Sequence, residues 1–220
     1  YEETVNGRMK QYFIYPEEAC KENVLKKDVN VIRLLPEKED AKKTSVVLVS
    51  GGGYNSVCTM VESLPTARHF SEAGYTVYLV TYRVGYPGVT PDALDDLAAV
   101  IRFLSDKKEE TGFLPKDYAI GGYSAGANLI SSWGTGNNGW KRYGLEKPRV
   151  MFPVYTFIDL KCDWIRTSDV VFLKHMFGEN FEQFLDVYNI AEHVDKDFPP
   201  CYIVCGRDDV TVPPVNSERL

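Results

Sequence analysis

The chain runs to 220 residues, enough for one sizeable core, and its length favours a single domain over two. Hydrophobic residues make up 44% and charged residues 25%, an ordinary balance for a globular protein. The net charge of −6, with no basic run interleaved with aromatics, argues against nucleic acid as a partner, and no apolar stretch is long enough to cross a bilayer.

Short β-branched runs alternate with helix-like segments, the pattern of a parallel sheet covered by helices. No repeat, low-complexity tract or linker divides them. Gln11–Tyr15 and Asn30–Leu35 read as strands of an opening section that can pair antiparallel. Ser45–Ser50 (SVVLVS) is a nearly continuous apolar run, suited to a strand buried on both faces, and it stops at Gly51-Gly52-Gly53. A helix follows over Leu64–Ala73, ended by Gly74, and then a strand over Thr76–Tyr82. The next segment carries the clearest helix signal: Thr90 as cap, Pro91 at the first helical position, and Asp92, Asp95 and Asp96 at the N-terminal dipole end. Its apolar stripe is Leu94, Leu97, Ala98, Ile101 and Leu104.

Tyr118–Gly121 reads as a strand, Ala125–Trp133 as a helix, and Arg149–Tyr155 and Cys201–Cys205 as the remaining central strands. Between those two lies an aromatic-rich segment, 157–194, with Trp164, Phe172, Phe177, Phe181, Phe184 and Tyr188. It has two readings: helices packing the flank of the sheet, or a small lid and acyl-pocket wall. The five cysteines (Cys20, Cys58, Cys162, Cys201, Cys205) form no metal-like cluster, and their odd number argues against a disulfide framework. Cys201 and Cys205 are expected to be inert core thiols. A reduced, cytoplasmic setting is the expectation, although a chain that opens on Tyr1 leaves room for a removed leader.

Gly122-Tyr123-Ser124-Ala125-Gly126 fits G-x-S-x-G between a predicted strand and a predicted helix, the context of a nucleophile elbow. So tight a turn needs small residues two before and two after the serine, and both are glycine. Ser124 then stands at a helix N-terminus, where backbone N–H groups favour developing negative charge. Ser50-Gly51-Gly52-Gly53-Tyr54 lies upstream at the end of another strand. Its glycines let backbone N–H groups approach an oxyanion, so the donors are expected to be Ala125 with Gly51 or Gly52.

A serine hydroxyl needs a base, and the base an orienting acid. Asp209, just past Cys201–Cys205, is the favoured acid; Asp208 would point elsewhere, and Asp159 is a weaker rival. The order in this fold is Ser, acid, His, yet His69, His175 and His193 all precede Asp209. Each reads more simply as a surface or packing residue. Tyr54, Tyr82, Tyr86 and Trp133 are candidates to line a pocket for an aromatic or sugar moiety, although aromatics near strand ends more often serve as packing.

Together, LVSGGGYNSV (Leu48–Val57), the passage Ala67–Tyr82, IGGYSAGANL (Ile120–Leu129) and PPCYIVCGRDDVTVPPVNS (Pro199–Ser217) carry a resemblance. The chain resembles the bacterial α/β-hydrolase esterases related to acetylxylan and feruloyl esterases, a branch near the hormone-sensitive-lipase-like enzymes. The resemblance implies an α/β-hydrolase fold: a mostly parallel, doubly wound sheet, helices on both faces, and a small helical lid segment. It implies Ser124 as nucleophile, Asp209 as triad acid, and an oxyanion hole from Gly51, Gly52 and Ala125. The substrate is then a small carboxylic ester, and no metal or cofactor is called for.

Two departures stand out. Ser50 occupies a position that is often His or Pro in relatives. Relatives also carry the catalytic His in a loop beyond the acid, after one more helix and a last strand, so residues 1–220 are expected to form a single domain lacking those elements. The competing readings are an amidase, arylformamidase or peptidase on the same scaffold, and a catalytically inactive, ligand-binding homologue.

Overall fold

The computed structural model describes residues 7–36, 44–162 and 170–220. Among the described residues the apolar runs form six strands in the order β1-β2-β4-β3-β5-β6. They are β1 (Met9–Phe13), β2 (Asn30–Leu34), β3 (Ser45–Val49), β4 (Thr76–Thr81), β5 (Tyr118–Tyr123) and β6 (Val150–Val154). β1 pairs antiparallel with β2, and β2 with β4, while β4, β3, β5 and β6 run parallel. The opening section is therefore antiparallel, as its place ahead of the first crossover allows.

Every residue of β3 is buried. Its side chains alternate between two separate apolar layers. Val46 and Leu48 meet Val77, Leu79 and Ala67 of α2 (Ser63–Glu72) on one face. Val47 and Val49 face the larger layer, built from α3 (Val89–Asp106) and α5 (Ala125–Gly134). Helices thus cover both faces of the sheet. α5 is the extreme case: each of its residues from Ala125 to Gly134 is buried. Along β5, the run Gly121-Gly122 is small for a steric reason, since a Cβ on Gly121 would overlap the Phe152 ring at 1.8 Å.

Three differences from the sequence reading have local causes. α3 begins at Val89 rather than after Thr90, because Gly88 at φ 84° turns the chain into the helix first. Pro91 then falls within the first turn, where its missing N–H breaks no intrahelical bond. Two short helices, α1 (Glu17–Glu22) and α4 (Lys108–Thr111), have no apolar stripe to announce them.

The third difference is Cys201–Cys205. It runs beside β6 and is joined to it by isolated parallel bridges, Met151 to Cys201 and Val154 to Val204, rather than as a regular strand. It is not buried: Tyr202 is 72% and Val204 41% exposed. Cys201 and Cys205 are accordingly half-buried rather than core thiols. Partial burial nevertheless pushes the Cys201 thiol up to about 11.

The described parts of 157–194 hold α6 (Val170–Phe177) and α7 (Glu182–Tyr188); Trp164 lies outside the described residues. Leu173, Met176, Phe177 and Tyr188 join the larger apolar layer. Phe177 stacks on Phe184 with ring centroids 5.6 Å apart. The last described helix is the short α8 (Val215–Glu218).

Candidate active site

β5 runs straight into α5, and Ser124 is the single residue between them. It has φ 49° and ψ −118°, a conformation that costs an L-residue about 1–3 kcal/mol. Two backbone hydrogen bonds hold it there: Ser124 N–H donates to Val154 O at 3.0 Å, and Asn128 N–H donates to Ser124 O at 2.9 Å. The flanking glycines are required by contact. A Cβ on Gly122 would stand 2.5 Å from Gly126 O, and one on Gly126 would stand 2.2 Å from Val49 O. Gly126→Ala is expected to cost about 3 kcal/mol or more in urea unfolding. Gly136→Ala is the control, because its nearest neighbour would be the flexible Lys141 side chain at 3.8 Å.

The Gly51–Gly53 loop leaves the end of β3 and reaches the serine. A Cβ on Gly51 would lie 2.8 Å from Ser124 Cβ and 3.3 Å from Ala125 N, so only glycine allows this approach. The loop is pinned at its carbonyls. Tyr82 Oη donates to Ser50 O at 2.8 Å, Cys58 N–H to Gly51 O at 3.0 Å, and Asn55 N–H to Gly52 O at 3.0 Å. Of its amides, Gly51 N–H is already taken by Glu62 Oε2 at 2.6 Å. The N–H groups of Gly52 and Ala125 have no acceptor among the described residues.

Tyr54 anchors the far end of the loop. It is fully buried at φ 59°, and its hydroxyl donates to Asn128 Oδ1 at 2.7 Å. Asn128 passes the connection on, donating from Nδ2 to Phe157 O at 2.8 Å. The three described non-glycine residues with positive φ are Tyr54, Ser124 and Tyr155. They follow β3, β5 and β6, three adjacent strands at one edge of the sheet. Strain of this kind concentrates where a surrounding structure enforces it.

At the same edge Arg83 follows β4 and is buried with Asp96 of α3. Asp96 accepts from Arg83 N, Nε and Nη2 at 2.8–3.0 Å and from Tyr15 Oη at 2.7 Å. Arg83 Nη1 also pairs with Asp92 at 2.8 Å. Sequence reading took Asp92 and Asp96 for dipole-end acids. Of the proposed pocket aromatics, Tyr54, Tyr82 and Trp133 are core residues, and Tyr86 is hydrogen-bonded to Asp92.

Asp209 lies in the loop beyond Cys201–Cys205, half-buried, with Oδ1 accepting from Thr211 N–H at 2.9 Å and Val212 N–H at 2.8 Å. Asp208 is exposed. Asp159 is committed elsewhere, paired with Arg219 and accepting from Lys161 N–H at 2.9 Å. Among the described residues, none of the three histidines bonds to Ser124 or Asp209. His69 is 83% exposed beside Glu72 on α2, and His193 Nε2 meets Asp186 O at 2.7 Å. His175 Nε2 meets Tyr54 O at 3.1 Å, tying α6 to the glycine loop.

Glu62, Asn128 and Arg83 are the site neighbours that the sequence did not mark. Asn128 had a signal, a lone polar side chain in the otherwise small or apolar run Ala125–Ile130. Glu62 had none, because its role depends on a loop closing back on itself. Among the described residues there is no group of His, Cys, Asp and Glu placed to hold a metal ion, and no helix long and apolar enough to cross a membrane.

A mostly parallel sheet with helices on both faces, a serine at the sharp turn from strand to helix and a glycine loop packed against it define the α/β-hydrolase class. Within that class the chain belongs to the BD-FAE family, which it matches over residues 33–220. It is 23% identical over 193 residues to Endo-1,4-beta-xylanase B of Butyrivibrio fibrisolvens, covering 81% of this chain and 29% of that protein. It is 27% identical over 189 residues to the "Probable carboxylic ester hydrolase LipM" of Mycobacterium tuberculosis, covering 79% and 43%. The chain thus spans less than half the length of these two relatives.

Among solved structures, a lipase/esterase from Lactobacillus plantarum superposes with a TM-score of 0.77 at 17% identity, over 96% of this chain and 84% of that one. An acetyl ester-xyloside bifunctional hydrolase from Caldicellulosiruptor lactoaceticus gives 0.72 at 22% identity, over 87% and 71%. At these identities the likeness is one of fold.

Proposed function

We propose that the chain is the serine-hydrolase part of an enzyme that cleaves small carboxylic esters through an acyl-enzyme on Ser124. The observation that carries this reading is the strained Ser124 beside Gly51, with the N–H groups of Gly52 and Ala125 finding no acceptor among the described residues. In the reaction, Ser124 Oγ attacks the ester carbonyl and gives its proton to a base. The carbonyl oxygen becomes an oxyanion held by Gly52 and Ala125. Collapse expels the alcohol, which takes the proton back, and water then releases the acid by the same two steps.

The base in this reading is a histidine that follows Asp209 in chain order, with Asp209 orienting it. His69, His175 and His193 are bonded or exposed elsewhere. Acetylated or aromatic-acylated sugars are the favoured substrates, supported by the likeness to a xylanase and to an acetyl ester-xyloside hydrolase. In the same reading, α6 and α7 form a wall of the acyl pocket, supported by the His175 contact to Tyr54. The partner is a small-molecule ester, and five unpaired cysteines suit a cytoplasmic setting.

The test compares p-nitrophenyl acetate, longer acyl esters, an anilide and acetylated xylo-oligosaccharides on one preparation of the protein that carries that histidine. Faster turnover of acetyl esters than of the others is the expected result. Preferential cleavage of the anilide would move the activity to an amidase or peptidase. Folded protein that cleaves none of them and takes up no fluorophosphonate at Ser124 would mark an inactive, ligand-binding homologue.

A further inference from the structure

The loop peptide that lies nearest Ser124 is clamped from both ends by side chains with no part in the chemistry above. The carbonyl of the Ser50–Gly51 peptide accepts from Tyr82 Oη at 2.8 Å. Its amide, Gly51 N–H, donates to Glu62 Oε2 at 2.6 Å. A bond from an amide to an ionised carboxylate is shorter and stronger than one between neutral groups. Glu62 sits immediately before α2, and its other oxygen, Oε1, accepts from Tyr155 Oη at 3.2 Å. Tyr155 is the positive-φ residue after β6, and its own N–H donates to Val204 O at 2.6 Å. Burial, and then the nearby Glu62 carboxylate, raise the Tyr155 phenol, so it stays protonated and keeps donating.

One half-buried carboxylate therefore joins the loop after β3 to the chain after β6, on either side of the β5 elbow. Its hold has a directional consequence. With Gly51 N–H tied to Glu62 and Gly51 O tied to Cys58 N–H, the next peptide plane is set, and Gly52 N–H is left facing away from Cys58.

We propose that Glu62 is a positioning residue for the oxyanion hole: its carboxylate withdraws Gly51 N–H from the site and fixes the loop so that Gly52 N–H is the donor that works with Ala125. This rests on the ester-hydrolase reading, and the experiment separates the two. Glutamine can preserve both contacts, its carbonyl accepting from Gly51 and its amide donating to the Tyr155 hydroxyl. Alanine preserves neither.

Wild type, E62A and E62Q are compared for kcat and KM on p-nitrophenyl acetate, each normalised to the fraction of Ser124 labelled by a fluorophosphonate. E62A is expected to lose kcat by roughly 100-fold with KM within about threefold, as for removal of one oxyanion donor. E62Q should recover to within about fivefold of wild type, because shape and bonding are kept and only the charge is lost. A purely structural role would lower the labelled fraction and leave kcat per labelled site unchanged. That result, or E62Q as impaired as E62A, overturns the proposal.

Hydrogen exchange of the Gly51 amide reads the clamp without any turnover. Protection present in wild type and E62Q and lost in E62A is expected; protection that survives in E62A overturns the clamp. Folded wild type that cleaves no ester overturns the hydrolase reading alone, and the exchange result then decides the clamp.

Discussion

Replacing Ser124 with glycine is expected to raise the stability of the fold by about 1 kcal/mol while abolishing turnover and fluorophosphonate labelling. The gain follows from backbone geometry. Serine at φ 49° and ψ −118° bears a penalty from its Cβ that glycine does not, and the flanking bonds to Val154 and Asn128 are made by the backbone. Ser124→Ala separates the two effects, because alanine keeps the Cβ and hence the strain. Both variants should lose about five or six orders of magnitude in kcat, and only the glycine variant should gain in urea unfolding. Equal stability of the two variants would show that the strain is not held at this residue. Full activity in Ser124→Ala would remove Ser124 from the mechanism.

Breaking the Arg83–Asp96 pair by removing one partner should have the largest effect on stability. Asp96 is fully buried and takes four of its five bonds from Arg83, the other from Tyr15. Arg83→Met would strand that carboxylate in the core at a cost of about 3–5 kcal/mol, a fall in Tm on the order of 10 °C for a chain of this size. Replacing both members, as Arg83→Met with Asp96→Leu, should recover most of the loss, because two desolvated charges are exchanged for apolar volume. Thermal melts of the single and double variants give the coupling directly. If the double variant falls as far as the sum of the singles, the pair is not the source of the cost. Arg83 directly follows Tyr82, whose hydroxyl holds Ser50 O, so damage here also loosens the glycine loop.

What could be read from the sequence was whatever depends on a local pattern. β3, β4 and β5 were legible because a strand buried on both faces must be a short unbroken apolar run, and each runs into the glycines or turn that ends it. The elbow was legible because its steric demand falls on residues two positions away in the chain. α3 was legible from its stripe, although its start moved when Gly88 and not Thr90 set the entry.

The misreadings share a cause, which is that their partners are distant in sequence. Gly51 looked like a donor equal to Gly52, and only a carboxylate eleven residues on distinguishes them. Tyr54, Tyr82 and Trp133 were read as packing before pocket walls, because aromatics near strand ends more often pack, and all three do turn inward. Cys201–Cys205 looked like a central strand because its composition is apolar, yet it lies outside β6 with alternate residues exposed.

The complete burial of α5 has a bearing on electrostatics. Its amide dipoles add to a partial positive charge at Ala125, the residue directly after Ser124. Along an exposed helix, water and mobile ions would blunt that charge within about 10 Å at moderate salt. Here every residue from Ala125 to Gly134 is shielded by protein, so the helix field is carried toward Ser124 through a medium that salt does not enter. In the proposed reaction, acylation at Ser124 should then proceed at nearly the same rate in dilute buffer and in concentrated salt.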